Sequence, residues 1–362
     1  MTAVHQFVPT LAPHDAVSTH YLAVRSALRE AGYRSEIYAH EVKPELRRQG
    51  RHYRAYKGAR ADEPTWLCYH SSVGSPVAEF VLERPEPLLL DYHNITPAEF
   101  FVRWEPFVAG RLSLGRRQLA KLAPRARLGL ADSGYNAQEL TSFGCGRTAV
   151  VPIMLDVASL ERDADPAVVA RLDAVRQRGG RNWLFVGRIA PNKAQHDVVK
   201  AFGAYRRFFD PRAELHLVGG SSSHRYLTAL RDFAGALGLG GAVHLTGPVP
   251  DEQLSAYYRH SDVMVVCSEH EGFCLPLLEA MHAGLPVVAY AAAAVPETLG
   301  DAGLLLDTKD ACTVAVAVAR VLRDDRLRRH LVDAGRRRLA DFDIRRSREL
   351  LLDAIVATVG PP

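Results

Sequence analysis

Two segments in the second half of the chain carry residue types and spacings suited to phosphate and sugar chemistry. The first is Glu271-Gly272-Phe273-Cys274-Leu275-Pro276-Leu277-Leu278-Glu279. Pro276 suits a helix N-terminus, where its missing N–H costs nothing. The amides of Gly272, Phe273, Cys274 and Leu275 would then point off the positive end of that helix, an arrangement that suits a phosphate. Glu271 in the loop is able to reach sugar hydroxyls, and Glu279 falls eight residues on, inside the helix. The plainer reading is a helix start with an acidic first turn and one surface carboxylate. The second segment runs from Phe185 to Lys193, where a buried-type strand ends at Gly187 and two cations, Arg188 and Lys193, follow. Arg as a planar fork and Lys as a point charge are placed to neutralise a diphosphate, unless both are simply solvated loop cations.

In the first half the chemistry is sparser. The strand Leu88–Tyr92 ends in a polar loop, Asp91-Tyr92-His93-Asn94-Ile95-Thr96-Pro97. A lone histidine in such a place is by default a hydrogen-bonded one. Asp15 and Ser18 precede a helical pattern, and one of them could cap it or Asp15 could bind an acceptor hydroxyl; the cap is preferred. The five cysteines are odd in number and scattered, with no Cys-x-x-Cys pair and no His at zinc-ligand spacing, so neither a disulfide framework nor a structural metal is expected.

The elements that must position these residues follow from apolar runs. Trp183–Val186, Leu215–Val218, Val243–Leu245, Val263–Val266, Val287–Tyr290 and Leu304–Leu306 are non-alternating and mostly separated by helix-length segments. That pattern predicts a parallel sheet built from βαβ units, a Rossmann-like domain. Val4–Val8, Ser35–Ala39, Trp66–Tyr69, Leu88–Tyr92 and Leu128–Ala131 predict a second α/β domain, with helices over Ser18–Ala31 and Leu112–Leu122. The expected division is an N-terminal domain over 1–160, a C-terminal domain over 161–340, and a final amphipathic helix, Ile344–Val359, within 341–362. A length of 362 residues, with 48% hydrophobic and 24% charged, supports two sizeable cores and excludes a disordered or fibrous chain. A net charge of +4 calls for no nucleic acid. With no signal-like leader and no run of 18 apolar residues, a cytoplasmic protein is expected.

The ordered set Gly187-Arg188…Pro191-Asn192-Lys193, Leu217-Val218-Gly219, Gly247 with Asp251, Leu254 and Tyr258, Ser261-Asp262-Val263, Ser268…Glu271-Gly272-Phe273…Glu279-Ala280-Met281, Gly284…Pro286-Val287-Val288-Ala289 and Pro296-Glu297 resembles the retaining glycosyltransferases of family four. The resemblance runs without a gap from about Phe185 to Leu306. It implies the GT-B fold, two Rossmann-like domains facing a central cleft, with the C-terminal helix crossing back to the first domain. It implies a hexosyltransferase moving a sugar from a nucleoside-diphosphate sugar, such as a UDP-sugar or GDP-sugar, to an acceptor hydroxyl with retention. Metal independence is part of that implication, with no cofactor. Residue by residue, Arg188 and Lys193 would hold the diphosphate and Glu271 the sugar hydroxyls. Gly272 to Leu275 would hold phosphate or sugar, Glu279 the ribose, and the loop at Val249 the base. His93 would orient the sugar and stabilise developing charge, with Asn94 a weaker companion.

The pattern departs from the family at Cys274, where Gly is frequent, at Ala291–Ala294, and in the opening loop, where Pro13 to Ser18 replaces paired glycines. A glycosyl phosphorylase using inorganic phosphate, or a non-catalytic sugar-nucleotide-binding or scaffold protein, are the competing functions. The basic stretches 43–60, with seven cations, and 111–127, with six, read as solvated helical faces. The alternative is peripheral contact with an anionic inner membrane face or a phosphorylated saccharide or lipid-linked acceptor.

Overall fold

The computed structural model describes residues 1–13, 15–60, 63–154 and 161–362. It divides into two compact units. One holds 1–102, 106–155 and 342–362, the other 103–105 and 156–341. Residues 155–160, where the change of domain was expected, and His14 of the opening loop lie outside the described residues.

In the first unit the chain runs through β1 (Ala3–Leu11), α1 (Ala16–Glu30), β2 (Ile37–Val42), β3 (Arg51–His52), β4 (Thr65–Ser71), α2 (Pro76–Leu82), β5 (Leu88–Tyr92), α3 (Pro106–Leu122), β6 (Ala126–Ala131), α4 (Gly134–Ser142) and β7 (Thr148–Val150). Its seven strands pair in the order β3-β2-β1-β4-β5-β6-β7, all parallel. The second unit holds α5 (Pro166–Gln177), β8 (Asn182–Val186), α6 (Gln195–Phe208), β9 (Glu214–Val218), α7 (His224–Ala236), β10 (Val243–Gly247), α8 (Asp251–His260), β11 (Val263–Val266), α9 (Pro276–His282), β12 (Val287–Tyr290), α10 (Val295–Leu299), β13 (Gly303–Leu306), α11 (Ala311–Arg323) and α12 (Asp325–Leu339). Its six strands pair in the order β10-β9-β8-β11-β12-β13, again all parallel. Both orders run outward from the first strand and then reverse. Each sheet therefore has a switch point, at β1/β4 and at β8/β11, beyond whose carboxyl ends an open α/β sheet forms its ligand crevice.

Burial explains the uninterrupted apolar strands. Trp183, Phe185, Leu215, Leu217, Val263 and Val265 are all at most 2% exposed and pack with Val198, Phe202 and Val318 from α6 and α11. The last helix, α13 (Ile344–Val359), belongs to the first unit. Its Leu351 and Ile355 enter the cluster that contains Val24 and Leu28 of α1. Arg348 meets Glu30 at 2.5 Å, and the Tyr33 hydroxyl donates to the Gly360 carbonyl. Asp15, Asp165, Ser223, Asp310, Asp324 and Asp343 each cap the helix that follows, which fixes where those helices begin.

Candidate active site

At the β8/β11 switch point the loop after β8 is tied to the loop after β11. Asn192 donates from Nδ2 to the His270 carbonyl at 3.1 Å and accepts from the Glu269 amide at 2.9 Å. That two-way link sets Lys193 against Glu271, and the two side chains form an ion pair. Glu271 is 7% exposed on its side chain and Lys193 23%, so the pair is open to water mainly from the lysine side. Arg188, five residues earlier, is exposed, and its guanidinium makes no ion pair among the described residues.

The backbone here is shaped for close approach. Gly219, at the end of β9, has φ +139°, and a Cβ on it would lie 2.2 Å from the Gly187 carbonyl oxygen. Only a glycine lets these two strand ends come together. Among the described residues four non-glycine residues have positive φ: Asn94, Ala194, Cys274 and Ala293. All four lie in loops that follow strands at a carboxyl edge, where strain of about 1 kcal/mol each collects. Cys274 at φ +67° explains why glycine is frequent at this position in the resembling family. Its thiol is pushed well up by burial and then by the Glu271 carboxylate, so it is an unreactive, protonated group.

Glu271, Gly272, Phe273, Cys274 and Leu275 form the turn before α9, which is a helix of seven residues. Leu275 is its N-cap residue and offers no side-chain cap. Among the described residues the amides of Cys274 and Leu275 make no hydrogen bond, whereas Thr298 Oγ1 holds the Phe273 carbonyl at 2.6 Å. Glu279 accepts from the Tyr258 hydroxyl at 2.5 Å, and burial raises its carboxyl above the ordinary range. Val249 is half-buried in the turn between β10 and α8.

In the first unit His93, expected to orient the donor sugar, sits in a cluster of histidines and carboxylates. Its ring lies edge to edge with that of His70, nearly in one plane, with centroids 5.3 Å apart and planes 6° apart. His93 Nδ1 meets both oxygens of Asp132 at 3.1 Å, and its Nε2 lies 3.0 Å from His70 Nδ1. Asp91 Oδ2 lies 3.2 Å from His70 Nδ1 and from His20 Nε2, and 3.8 Å from His93 Nε2. Burial alone would lower His93, but the carboxylates of Asp132 and Asp91 raise it to about 9. His70 is lowered by burial to about 4. Burial pushes Asp91 up, but the charge of His93 and then His70, with hydrogen bonds from His20 and His70, holds it well below the carboxylate range.

The side chain of His93 is 1% exposed and both its nitrogens are engaged, so direct contact with a sugar is at odds with this placement. His20, His70, Asp91, Asp132 and Gln6 are the residues the sequence reading missed. Asp15 accepts from the Ser18 amide at 2.9 Å and from its hydroxyl at 2.8 Å, which makes Asp15 the cap of α1. Asn94 donates to Asn136 Oδ1 at 2.9 Å and pins its own loop. Within the basic stretch 111–127, Arg116 is bound to Glu139 at 2.7 Å and Arg125 to the carbonyls of Leu82 and Arg84, so these cations hold structure together.

Two parallel-sheet Rossmann-like units in one chain are the architecture of the GT-B fold. Solved structures agree on the fold. Sucrose-phosphate synthase from Thermosynechococcus elongatus is similar with a TM-score of 0.74 at 19% identity, covering 98% of this chain and 97% of that one. Anabaena HepE in complex with UDP-glucose is similar with 0.74 at 16% identity, covering 98% and 99%. Residues 175–338 match the family described as glycosyl transferases group 1. The D-inositol 3-phosphate glycosyltransferase of Thermomonospora curvata is 33% identical over 256 residues, 67% of this chain and 57% of that protein. The chain thus spans little more than half the length of such curated relatives. Among the described residues no helix is long and apolar enough to cross a membrane.

Proposed function

We propose that the chain is a retaining glycosyltransferase that moves a hexose from a nucleoside-diphosphate sugar to an acceptor hydroxyl. The observation that carries this reading is the Lys193–Glu271 pair at the switch point, beside the exposed Arg188. In this reading Arg188 and Lys193 take the diphosphate, and Lys193 exchanges part of its bond to Glu271 for one to a phosphate oxygen. Glu271, released on one side, accepts from sugar hydroxyls. The free amides of Cys274 and Leu275 add donors toward the leaving group, where charge develops as the glycosidic bond breaks. Glu279 accepts from the ribose, and Val249 lies against the base. The acceptor oxygen attacks on the face that the diphosphate leaves, and a phosphate oxygen takes its proton.

The donor tested first is UDP-glucose, because HepE was solved with it. The acceptor tested first is D-inositol 3-phosphate, because the relatives are named for it. A phosphorylase would use the same cations, so the two readings are separated by co-substrate. Transfer that needs the acceptor and releases nucleoside diphosphate supports the proposal. Release that needs inorganic phosphate replaces it with the phosphorylase.

A further inference from the structure

We infer that the second unit binds a small phosphorylated anion in an arginine-lined pocket at the amino edge of its sheet. The pocket has a volume of about 380 Å³, which suits a small molecule. Its wall is built from the end of α8, the turn between α9 and β12, and one face of α12, with Arg176 added from the end of α5. Ser261 and Asp262 stand just before β11, and Leu285 and Pro286 just before β12. Lys193 and Glu271 follow the opposite, carboxyl ends of β8 and β11. The four residues of β11, about 13 Å of strand, therefore separate this pocket from the proposed donor site.

Charge is unbalanced here. Arg176, Arg259, Arg328, Arg329 and Arg336 line the pocket against Asp262 and Asp333, so five cations face two carboxylates and three positive charges are left over. Asp262 is already occupied, by Arg176 Nε and Arg181 Nη1 at 3.3 Å each and by the Asn182 amide at 2.8 Å. Arg259 and Arg329 are exposed and make no ion pair among the described residues. Arg328 and Arg336 each reach the aspartate three residues back on α12, Asp325 at 3.0 Å and Asp333 at 3.2 Å. Exposed pairs of that kind contribute little, so a phosphate oxygen can take the place of either aspartate. Ser261, 6% exposed, keeps a buried hydroxyl that finds no partner among the described residues, a donor in reserve beside the arginines.

The arginines are also held in place. Arg328, Arg329, Val332, Asp333 and Arg336 recur at helical spacing, so one face of α12 carries the cations over two turns. Its other face is seated in the core: Leu331, Ala334 and Gly335 are buried, and a Cβ on Gly335 would lie 3.2 Å from Met281 Cγ of α9. Arg176 Nη2 donates to the Ser261 carbonyl at 3.2 Å, which fixes a further guanidinium at the rim. Planar guanidinium forks pair with phosphate oxygens two at a time, and several of them converging match a multiply charged phosphate better than a single carboxylate. A membrane surface is flat and does not fill a concavity, so the shape favours a small solute over anionic lipid.

The probe is pyrophosphate, titrated calorimetrically into full-length Arg188→Ala/Lys193→Ala protein, which lacks both cations of the proposed diphosphate site. About one equivalent should bind with a Kd below about 1 mM, more weakly as salt is raised. Adding Arg259→Ala/Arg329→Ala should weaken binding roughly 10- to 150-fold. Both side chains are exposed and unpaired, so the melting temperature of the free protein should not move. If the Arg188→Ala/Lys193→Ala protein does not fold, the wild type is used, and Arg259→Ala/Arg329→Ala should remove one bound equivalent from it. A failure of the donor reading leaves this result unchanged, because the pocket is intact in either protein. Absence of pyrophosphate binding, equal affinity with and without Arg259 and Arg329, or binding to anionic phospholipid vesicles alone overturns the inference.

Discussion

Replacing Lys193 by alanine separates what its ion pair does for the fold from what it does for the donor. The change leaves the Glu271 carboxylate, 7% exposed, without its cation. Removing one partner of a fully buried pair costs about 3–5 kcal/mol. Because Lys193 is 23% exposed, water reaches the pair from one side and lowers that cost to about 2 kcal/mol. For a unit of this size the melting transition then falls by about 4–8 °C. Glu271→Gln removes the charge that is left stranded, so Lys193→Ala/Glu271→Gln should recover at least half of the loss. Donor binding should behave otherwise. Lys193→Ala gives up a charge-assisted bond to phosphate worth about 1.5–3 kcal/mol, or roughly 10- to 150-fold in Kd for UDP-glucose, and the second substitution does not restore it. Calorimetric melting and isothermal titration of the four proteins complete the cycle. Strictly additive stability losses, or an unchanged Kd in Lys193→Ala, would refute the reasoning.

Other substitutions probe the frame around the site. Glu279 is raised by burial, so the fold favours its neutral form. That stabilisation is complete below the ordinary carboxylate pKa and is lost as pH rises through the raised one. Glu279→Gln should therefore raise the melting temperature at pH 7.5, and the gain should vanish near pH 4; an equal gain at both pH values contradicts the burial argument. Gly219→Ala should cost about 3 kcal/mol or more, since its Cβ would sit 2.2 Å from a carbonyl oxygen in a φ region hostile to side chains; urea titration at wild-type stability would show that the strand ends can part. Leu351→Ala, at a site 1% exposed in the first unit's core, should cost about 2–5 kcal/mol. A loss below 0.5 kcal/mol in the same titration would mean that α13 is only loosely held.

The second unit was legible because its inner strands β8, β9, β11 and β12 are buried on both faces and so read as mostly apolar runs. Val263–Val266 and Val287–Tyr290 match their expected bounds, and so does α13. The first unit was harder. β2 was expected at Ser35–Ala39 and lies at Ile37–Val42, because its second half carries His40 and Glu41 at a sheet margin. β3 is two residues, Arg51 and His52, both exposed, and no apolar signal marks it. The histidine cluster was missed for a different reason. His20, His70, Asp91, His93 and Asp132 are scattered over more than a hundred positions, and only the order β1-β4-β5-β6 brings their strand ends side by side. One signal was present: His70 and Asp91 interrupt strands that are otherwise apolar, and a buried polar residue in such a run needs a partner. Trp104 and Glu105 were also invisible as members of the second unit, where the Trp104 ring meets Tyr226 at 5.1 Å and Glu105 accepts from Ser223 at 2.9 Å.

The most direct test of the proposed activity is the anomeric configuration of the product formed from an α-linked nucleotide-sugar, read by ¹H NMR during turnover. UDP-glucose and GDP-mannose are each supplied with D-inositol 3-phosphate and with simple saccharide acceptors. The account predicts an α-linked product in wild type with at least one donor and a loss of about a hundredfold or more in a folded Glu271→Ala protein. A β-linked product, equal turnover in wild type and Glu271→Ala, or sugar release that depends on inorganic phosphate would contradict it.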